Sequence, residues 1–403
     1  MTSVILDISR LISRVRYATP SGVDRVEMAY ARGLSRLYGD MLSFAAVHPT
    51  GLYGRIGRAT ALAYLDELEQ RWATENDEPP QRSIASILPW MARLLPHRPP
   101  PLKADQPAVY IQVSPHHLTD AGTVRRILAR EQARFLCMVH DLIPIEFPEY
   151  ARPTGAALHR RRMETLAACA DAVIVNSAAT GRSFQPWIDR GDRKIAVHVA
   201  LLGTEPLAAS TPKAIADERP CFVCIGTIEP RKNHLLLLNL WRHLAEILPA
   251  AKVPRLVIVG KRGWENEQVL DMLDRCPALR PHVQEVNGCP DSRLASILRG
   301  ARGLLMPSFA EGFGMPVAEA LSAGVPVICS DIPAHHEVGG MTPDYADPLD
   351  GPRWKELVLD FAGCGPAWTA QQQRLPHWTA PTWEGHMLIA AQAIAALQQN
   401  DRA

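Results

Sequence analysis

Short apolar runs alternate along the chain with longer stretches in which apolar residues recur at helical spacing. In the first half the runs predict strands at residues 4–8, 43–47, 109–113, 135–139, 172–175 and 195–199. In the second half they predict strands at residues 221–225, 255–259, 283–286, 303–306 and 325–329. This alternation of strands with helices predicts the α/β class with parallel sheets.

Helices are predicted in the stretches between the strands. They cover residues 24–38, 119–131, 155–170, 234–248, 265–275, 292–301 and 315–323, and a last Ala-rich helix covers residues 383–399. At 403 residues the chain is long enough for two domains, because single cores usually stop growing at about 250–300 residues. Residues 206–220 contain small and polar residues between two prolines, which predicts a linker. We therefore predict domains over residues 1–205 and 220–382, joined by a linker over residues 206–219.

Residues 51–107 do not follow this pattern. Within them, residues 83–95 (SIASILPWMARLL) form an apolar stretch that holds Trp90 and is flanked by Arg82, Arg93 and Arg98. Such a stretch is typical of a segment that lies on a membrane surface or grips a lipid-like acceptor. The alternative is a surface insertion that packs its apolar side onto its own domain.

The charge of the chain is balanced, with 43 basic and 42 acidic residues and a formal net charge of +1. This balance argues against a nucleic-acid or polyanion binder, so we expect no nucleic-acid partner. No apolar run reaches the roughly 18 residues of a membrane-spanning helix, and the first residues lack the pattern of a signal peptide. We therefore expect a protein that is neither secreted nor membrane-spanning.

Eight cysteines are dispersed along the chain, mostly in apolar runs, as is typical of reduced, buried thiols in a cytosolic protein. The close pair Cys221 and Cys224 in CFVCIG could indicate redox or zinc chemistry. No second CxxC or HxxxH pair accompanies it, and it lies in a strand-like run. We interpret this pair as part of a buried strand.

A first chemical motif follows the strand at residues 221–225. The strand ends at Gly226, a turn carries Arg231 and Lys232, and a helix starts near Asn233. Glycine lets backbone N–H groups approach a ligand, and a helix N-terminus favours an anion. Two cations in this turn therefore predict a diphosphate site, whereas the alternative is a solvated pair of surface charges.

A second motif follows the strand at residues 303–306. Glu311 lies in a Gly-rich turn, and Glu319 lies eight residues later in the next helix. Both carboxylates can face one cleft at the carboxyl edge of a parallel sheet, where α/β proteins bind ligands. There they would accept hydrogen bonds from sugar or ribose hydroxyls. Alternatively, they are a helix N-terminal charge and a solvated glutamate.

GTIEPRKN at residues 226–233 and EGFGMPVAEALSAGVPVICSD at residues 311–331 together resemble the nucleotide-sugar site of retaining glycosyltransferase family 4. The spacing of Glu311 and Glu319 matches the acidic motif of that family. The resemblance is dense in the second half of the chain and sparse in the first. It implies the GT-B architecture, in which two Rossmann-like doubly wound domains face each other across a cleft and the last helix packs back onto the first domain.

The resemblance also implies a role for individual residues of the second domain. Lys232 would hold the donor diphosphate with Arg231 as its helper, and Glu311 would meet the hydroxyls of the transferred sugar. The remaining donor-binding residues would be Gly226, Thr227, Val286, Asn287, Gly312, Phe313, Gly314, Met315 and Glu319. Among these, Glu319 would take the ribose hydroxyls. Thr227 stands where many family members have arginine, so the second phosphate ligand is expected to shift to Arg231.

Two residues of the first domain match the family as well. Gly22, in the sequence SGVDRV, resembles the glycine loop that approaches the donor phosphates. His140, in the sequence MVHDLIP, stands where the family has a histidine near the sugar and the leaving phosphate. The resemblance thus implies that the second domain binds most of the donor and the first domain binds the acceptor.

The resemblance implies a retaining hexosyltransferase that needs no catalytic metal, and the sequence agrees, since no DxD-like pair stands in the right place. We expect no cofactor. The GTxEPRKN variant resembles bacterial mannosyltransferases of surface polysaccharides, so the expected donor is GDP-mannose, with a UDP-sugar or deoxysugar nucleotide as the alternative. The expected partner is a polyprenyl-diphosphate-linked saccharide acceptor at the cytoplasmic face of the plasma membrane, to which the protein would bind peripherally.

The sequence also bears on three other classes of protein. A nicotinamide-dependent oxidoreductase would need GxGxxG after the first strand, which the chain lacks, and a P-loop NTPase would need a Walker lysine loop, also lacking. A non-catalytic protein that binds a nucleotide-sugar remains open.

Overall fold

The computed structural model describes residues 3–17, 19–48, 50–73, 83–97, 108–205 and 219–399. The chain divides into two compact units, Met1–Gly203 with Thr382–Ala403 (unit 1) and Thr204–Pro381 (unit 2). Most of the predicted linker, residues 206–218, lies outside the described residues. Both units are α/β domains built around parallel sheets, which confirms the predicted class.

The sheet of unit 1 has the strand order β3-β2-β1-β4-β5-β6-β7, and only β3 runs antiparallel to its neighbour. Its strands are β1 (Val4–Asp7), β2 (Leu42–Val47), β3 (Tyr53–Ile56), β4 (Ala108–Gln112), β5 (Ala133–Val139), β6 (Ala172–Val175) and β7 (Ala196–Val199). The chain builds one side of the sheet with β1 to β3 and the other with β4 to β7. The direction of winding therefore switches between β1 and β4.

Helices of unit 1 cover both faces of this sheet. They are α1 (Ser9–Ser13), α2 (Gly22–Tyr38), α3 (Arg58–Ala73), α4 (Ile84–Arg93), α5 (Ala121–Glu131), α6 (Ile143–Glu146), α7 (Gly155–Cys169), α8 (Ala178–Asp189) and, from the chain's last segment, α16 (Trp383–Gln399). Helix α16 is fixed by His386, whose ring nitrogens lie 3.0 Å from the carbonyl oxygen of Leu201 and 2.8 Å from the hydroxyl of Tyr30.

The sheet of unit 2 is parallel throughout, in the order β10-β9-β8-β11-β12-β13. Its strands are β8 (Cys221–Ile225), β9 (Arg255–Val259), β10 (Val283–Val286), β11 (Gly303–Met306), β12 (Val327–Ser330) and β13 (Asp344–Ala346). Its helices are α9 (His234–Ile247), α10 (Glu267–Arg275), α11 (Asp291–Arg299), α12 (Met315–Ser322), α13 (Pro333–Gly339), α14 (Gly351–Ala362) and α15 (Pro366–Arg374). Here the winding switches between β8 and β11.

Strand β3 was not predicted, because its sequence YGRI has no apolar run. Its Gly54 allows a close backbone approach, since a Cβ there would lie 2.4 Å from the carbonyl oxygen of His97. Its Arg55 is buried because Glu131 pairs with it at 2.7 Å. A tertiary ion pair therefore places this polar residue in the sheet. The three-residue strand β13 was also missed.

The apolar stretch at residues 83–95 forms α4 and packs against unit 1. Ile87 and Leu94 are buried, and the Trp90 ring lies edge-on to Tyr64 with centroids 5.3 Å apart. Leu88 and Leu95 remain exposed, at 58% and 43%. The insertion alternative is therefore correct for the inner side of this helix. Arg82 and Arg98 lie outside the described residues.

Cys221 and Cys224 both lie in β8 with buried, free thiols, as predicted from the sequence. Among the helices that the structure describes, none is long and apolar enough to cross a bilayer.

Candidate active site

The predicted site residues of unit 2 gather at the carboxyl edge of its sheet, where the winding switches between β8 and β11. Lys232 follows β8 and Glu311 follows β11, so the two neighbouring strands deliver them to the same place. Helices that leave neighbouring strands in opposite directions open a crevice at such a point. The position therefore suits a bound ligand.

The turn after β8 depends on Gly226. Its φ of +146° is unfavourable for residues with a side chain, and its N–H donates to the carbonyl oxygen of Val259 at 2.9 Å. A Cβ at this position would lie 3.0 Å from Cε of Lys232. The missing side chain therefore lets Lys232 lie across the strand end. A 3-10 turn at Pro230–Lys232 and a left-handed Asn233 then lead into α9.

Lys232, Arg231 and Glu311 form a buried ion cluster. The Nζ atom of Lys232 lies 2.6 Å from Oε1 of Glu311, and Nη1 of Arg231 lies 2.7 Å from Oε2. Arg231 also donates to Glu229 at 2.7 Å and to the carbonyl oxygen of Ala310 at 2.7 Å. The side chains of Lys232 and Glu311 are each only 9% exposed. Both oxygens of Glu311 are thus held by cations.

The cluster keeps Glu311 ionised. Burial alone would raise the pKa of the Glu311 carboxyl, but the charges of Arg231 and Lys232 hold that pKa well below its ordinary value of 4.5. Together with Glu229, two cations face two carboxylates. A diphosphate ligand would therefore compete with these carboxylates for Lys232 and Arg231. Glu229 was not predicted as part of the site, although it stands only two residues before Arg231.

The Gly-rich turn before α12 lies against this cluster. Gly314 has a φ of +99°, and a Cβ there would meet the ring of His335 at 3.0 Å. Phe313 is buried, Met315 is the first residue of α12, and Glu319 lies half-buried one turn further. The turn at Gly312 to Gly314 thus comes directly before a helix N-terminus, where backbone N–H groups favour an anion.

His335 lies next to the cluster and was not predicted as a site residue. Its Nδ1 lies 2.9 Å from the carbonyl oxygen of Ser330, and its buried Nε2 has no hydrogen-bond partner among the described residues. Burial, with a contribution from Lys232, lowers the pKa of His335 to about 4, so the ring is neutral at neutral pH. The Nε2 atom of His336 lies 2.6 Å from Oδ1 of Asp331, so the two adjacent rings do not face one site.

The predicted donor-binding residues Val286 and Asn287 lie at the end of β10. The carbonyl oxygen of Val286 accepts from Gly260 at 3.0 Å, and Gly260 in turn abuts the backbone of Gly226. The Val286 side chain is buried in the core, and Asn287 is exposed. Thr227 is half-buried and packs close to Gly263. These residues lie at the same carboxyl edge of the sheet as Lys232. Val286 ends β10, which is two strands away from β8, the strand that precedes Lys232.

Gly22 and His140 belong to unit 1. Gly22 is the first residue of α2, whose N-cap Ser21 forms a capping box with Asp24. His140 follows β5, and its Nε2 lies 2.7 Å from the carbonyl oxygen of Val113. If Nε2 carries the proton, Nδ1 is left as an acceptor. Burial lowers the pKa of His140, so its ring is neutral at neutral pH.

The fold, and the sequence around the site of unit 2, resemble those of known proteins. Residues 208–342 match the family model described as glycosyl transferases group 1. The matched region contains Gly226, Arg231, Lys232 and Glu311.

The relatives with known roles include mannosyltransferases and D-inositol 3-phosphate glycosyltransferases. Serotype-specific mannosyltransferase WbdA of Escherichia coli is 30% identical over 227 residues, which cover 52% of this chain and 27% of that protein. O-antigen chain mannosyltransferase B of Escherichia coli is 38% identical over 128 residues, which cover 31% of this chain and 32% of that protein. The chain thus covers only about a third or less of the length of these relatives.

Solved structures share the fold at low sequence identity. Sucrose-phosphate synthase from Thermosynechococcus elongatus has a TM-score of 0.65 and 16% identity, covering 98% of this chain and 99% of that one. The UDP-forming trehalose-phosphate synthase from Burkholderia vietnamiensis has a TM-score of 0.63 and 12% identity. The match covers 100% of this chain and 98% of that one. The predicted GT-B fold class is confirmed.

Proposed function

We propose that this chain is a retaining hexosyltransferase that moves mannose from GDP-mannose to a saccharide acceptor. The observation that carries this proposal is the buried cluster of Lys232, Arg231 and Glu311 at the switch point of unit 2. Two cations at a strand-to-helix turn suit the diphosphate of a nucleotide-sugar, and a carboxylate between them suits sugar hydroxyls. The names of the relatives support mannose as the transferred sugar.

The cations act on the leaving group. Lys232 and Arg231 neutralise the charge that develops on the departing diphosphate, and the N–H groups of the turn at Gly312 to Gly314 add partial positive charge. The acceptor hydroxyl attacks the anomeric carbon from the face that the diphosphate leaves, and a donor phosphate oxygen takes its proton. The configuration at the anomeric carbon is then retained. No resident metal or cofactor takes part in this proposal.

A screen of nucleotide-sugars tests the donor. We expect GDP-mannose to raise the melting temperature and to be hydrolysed slowly without acceptor, because the site neutralises the leaving diphosphate. UDP-glucose, UDP-N-acetylglucosamine and a dTDP-deoxysugar are the competing donors. A larger effect from one of these would replace GDP-mannose. Tight binding without any hydrolysis or transfer would favour the non-catalytic alternative.

We infer that the acceptor is a lipid-linked saccharide in bacterial surface-polysaccharide synthesis, bound by unit 1 at the cytoplasmic face of the membrane. The outer side of α4 supports this location. Leu88 and Leu95 are exposed there, and the guanidinium of Arg93 lies 5.6 Å from the Trp90 ring centroid. Exposed leucines beside an arginine suit an anionic lipid surface.

The double variant Leu88→Ser/Leu95→Ser tests this contact. We expect its partition onto anionic vesicles to fall about 10-fold or more, because burial of each leucine contributes roughly 1.5 kcal/mol or more. Flotation with phosphatidylglycerol-containing vesicles measures it. Leu37→Ser, at a leucine of α2 that is 52% exposed, is the control. Equal vesicle binding by wild type, variant and control would refute the membrane contact.

A further inference from the structure

A second polar cluster lies at the carboxyl edge of the unit 1 sheet, beside the switch point between β1 and β4. His140 links the ends of β5 and β4 through the carbonyl oxygen of Val113 at 2.7 Å. His159, in α7, reaches the same edge, since its Nε2 lies 2.9 Å from the carbonyl oxygen of Asp141. Arg162 stands three residues after His159 and therefore shares its face of the helix.

Arg162 has no counter-charge in direct contact. It is half-buried, its Nε is buried without a hydrogen-bond partner, and it forms no ion pair within the described part of the chain. Burial lowers the pKa of Arg162, and the charge of Arg10 lowers it further against the opposing effect of Asp141. By contrast, Arg10 and Arg14 both contact the buried Asp24, at 2.6 and 3.0 Å. A partly buried guanidinium without a partner is costly, and an anionic ligand would remove that cost.

Two of the carboxyl groups around this edge, those of Asp7 and Glu27, are already occupied or neutral. Asp7 accepts from the N–H of Ser9 at 2.9 Å and from the hydroxyl of Tyr110 at 2.5 Å. Burial, together with Asp7, raises the pKa of Glu27 to about 8, so Glu27 is largely protonated at neutral pH. An anion next to Arg162 therefore meets little competition from Asp7 and Glu27.

Two histidines add uncharged polar groups to the cluster. His116 and His117 follow β4, and their rings stand edge to face with centroids 4.4 Å apart. Burial lowers the pKa of both rings, that of His116 to about 4. The charges of Arg10 and Arg162 also lower the pKa of His116. The buried Nε2 of His117 has no partner among the described residues. These rings can exchange hydrogen bonds with hydroxyls beside the anion.

We propose that Arg162 binds an anionic group of the acceptor, a phosphate or a carboxylate, with His116 and His117 contacting neighbouring hydroxyls. The planar guanidinium can offer two N–H donors to two oxygens of such a group. This inference rests on the proposed function and makes it more specific, because it assigns the acceptor a negative charge that unit 1 binds.

The test compares three mannobiose acceptors with the same alkyl chain that differ only at the reducing-end sugar: an alkyl diphosphate, an alkyl glycoside in which this sugar is a uronate with a free carboxylate, and a neutral alkyl glycoside. For wild type we expect kcat/KM to be about 10- to 100-fold higher with a charged acceptor than with the neutral one. In Arg162→Gln this ratio falls to near 1, and in Arg162→Lys it is partly restored. Whichever charged acceptor is preferred identifies the group as phosphate or carboxylate.

Arg160→Gln, at an exposed arginine of the same helix, is the matched control and should keep the wild-type ratio. A ratio near 1 in wild type, or an unchanged ratio in Arg162→Gln, overturns the inference. The shift in melting temperature on adding the same compounds measures binding at this site without catalysis. Charged compounds should raise the melting temperature of wild type and not that of Arg162→Gln. Equal shifts in the two proteins would also overturn the inference. Absence of any donor turnover would instead count against the proposed function.

Discussion

Replacing Lys232 with methionine is expected to lower kcat/KM for sugar transfer by at least about 100-fold. The ammonium group is one of two cations placed to neutralise the leaving diphosphate, and removal of one such group typically costs a factor of 10² to 10³. Methionine keeps most of the aliphatic volume over Gly226. Affinity for free GDP should weaken as well, because Lys232 would contact the phosphates in both states. Steady-state kinetics and GDP titration measure the two effects.

Loss of activity must be separated from loss of structure, because Lys232→Met also leaves Glu311 buried with a single cation. We expect the free energy of unfolding to fall by up to about 3 kcal/mol. The double variant Lys232→Met/Glu311→Gln should regain stability and remain inactive. Lys252→Met, at an exposed lysine, should change neither the free energy of unfolding nor the transfer activity. Transfer close to the wild-type rate in a folded Lys232→Met protein would contradict the assignment.

Replacing Glu311 with glutamine is expected to lower kcat/KM by about 100-fold or more while leaving the affinity for free GDP equal or tighter. The carboxylate is proposed to hold the transferred sugar, so transfer suffers when its charge is lost. In the structure it also occupies Lys232 and Arg231 at 2.6 and 2.7 Å, so its neutralisation frees both cations for phosphate. The two variants thus differ in the sign of their effect on GDP affinity. Weakened GDP binding in Glu311→Gln would contradict this competition.

The same variant has a predicted pH signature. The pKa of Glu311 in the folded chain lies below its ordinary value of 4.5, so its ionisation stabilises the fold above pH 4.5. That contribution is lost as the pH falls below 4.5 toward the folded-state pKa. In urea titrations, the stability difference between wild type and Glu311→Gln should be constant from pH 8 to about 5 and shrink below it. A difference that changes near neutral pH would contradict the assigned ionisation.

Much of the fold could be predicted from the sequence, because buried parallel strands consist of runs of apolar residues. Strands β6, β8, β9, β10 and β11 have the predicted bounds. Two strands were not predicted: β3, which is held by the pair of Arg55 and Glu131, and β13, which has only three residues. A pattern of apolar positions cannot predict an ion pair formed with a residue 76 positions away.

The sequence by itself determined the two α/β halves and the residues around the donor motifs, since Gly226, Lys232 and Glu311 stand at strand ends that the pattern locates. Only the tertiary structure decided that Lys232 and Arg231 form ion pairs with Glu311, and that Glu229 and His335 lie beside them. It also decided that Arg162 lacks a counter-charge among the described residues. The reason is physical. Strand and helix positions follow from local periodicity, whereas the charge balance of a site depends on which distant side chains the strand order brings within hydrogen-bond reach.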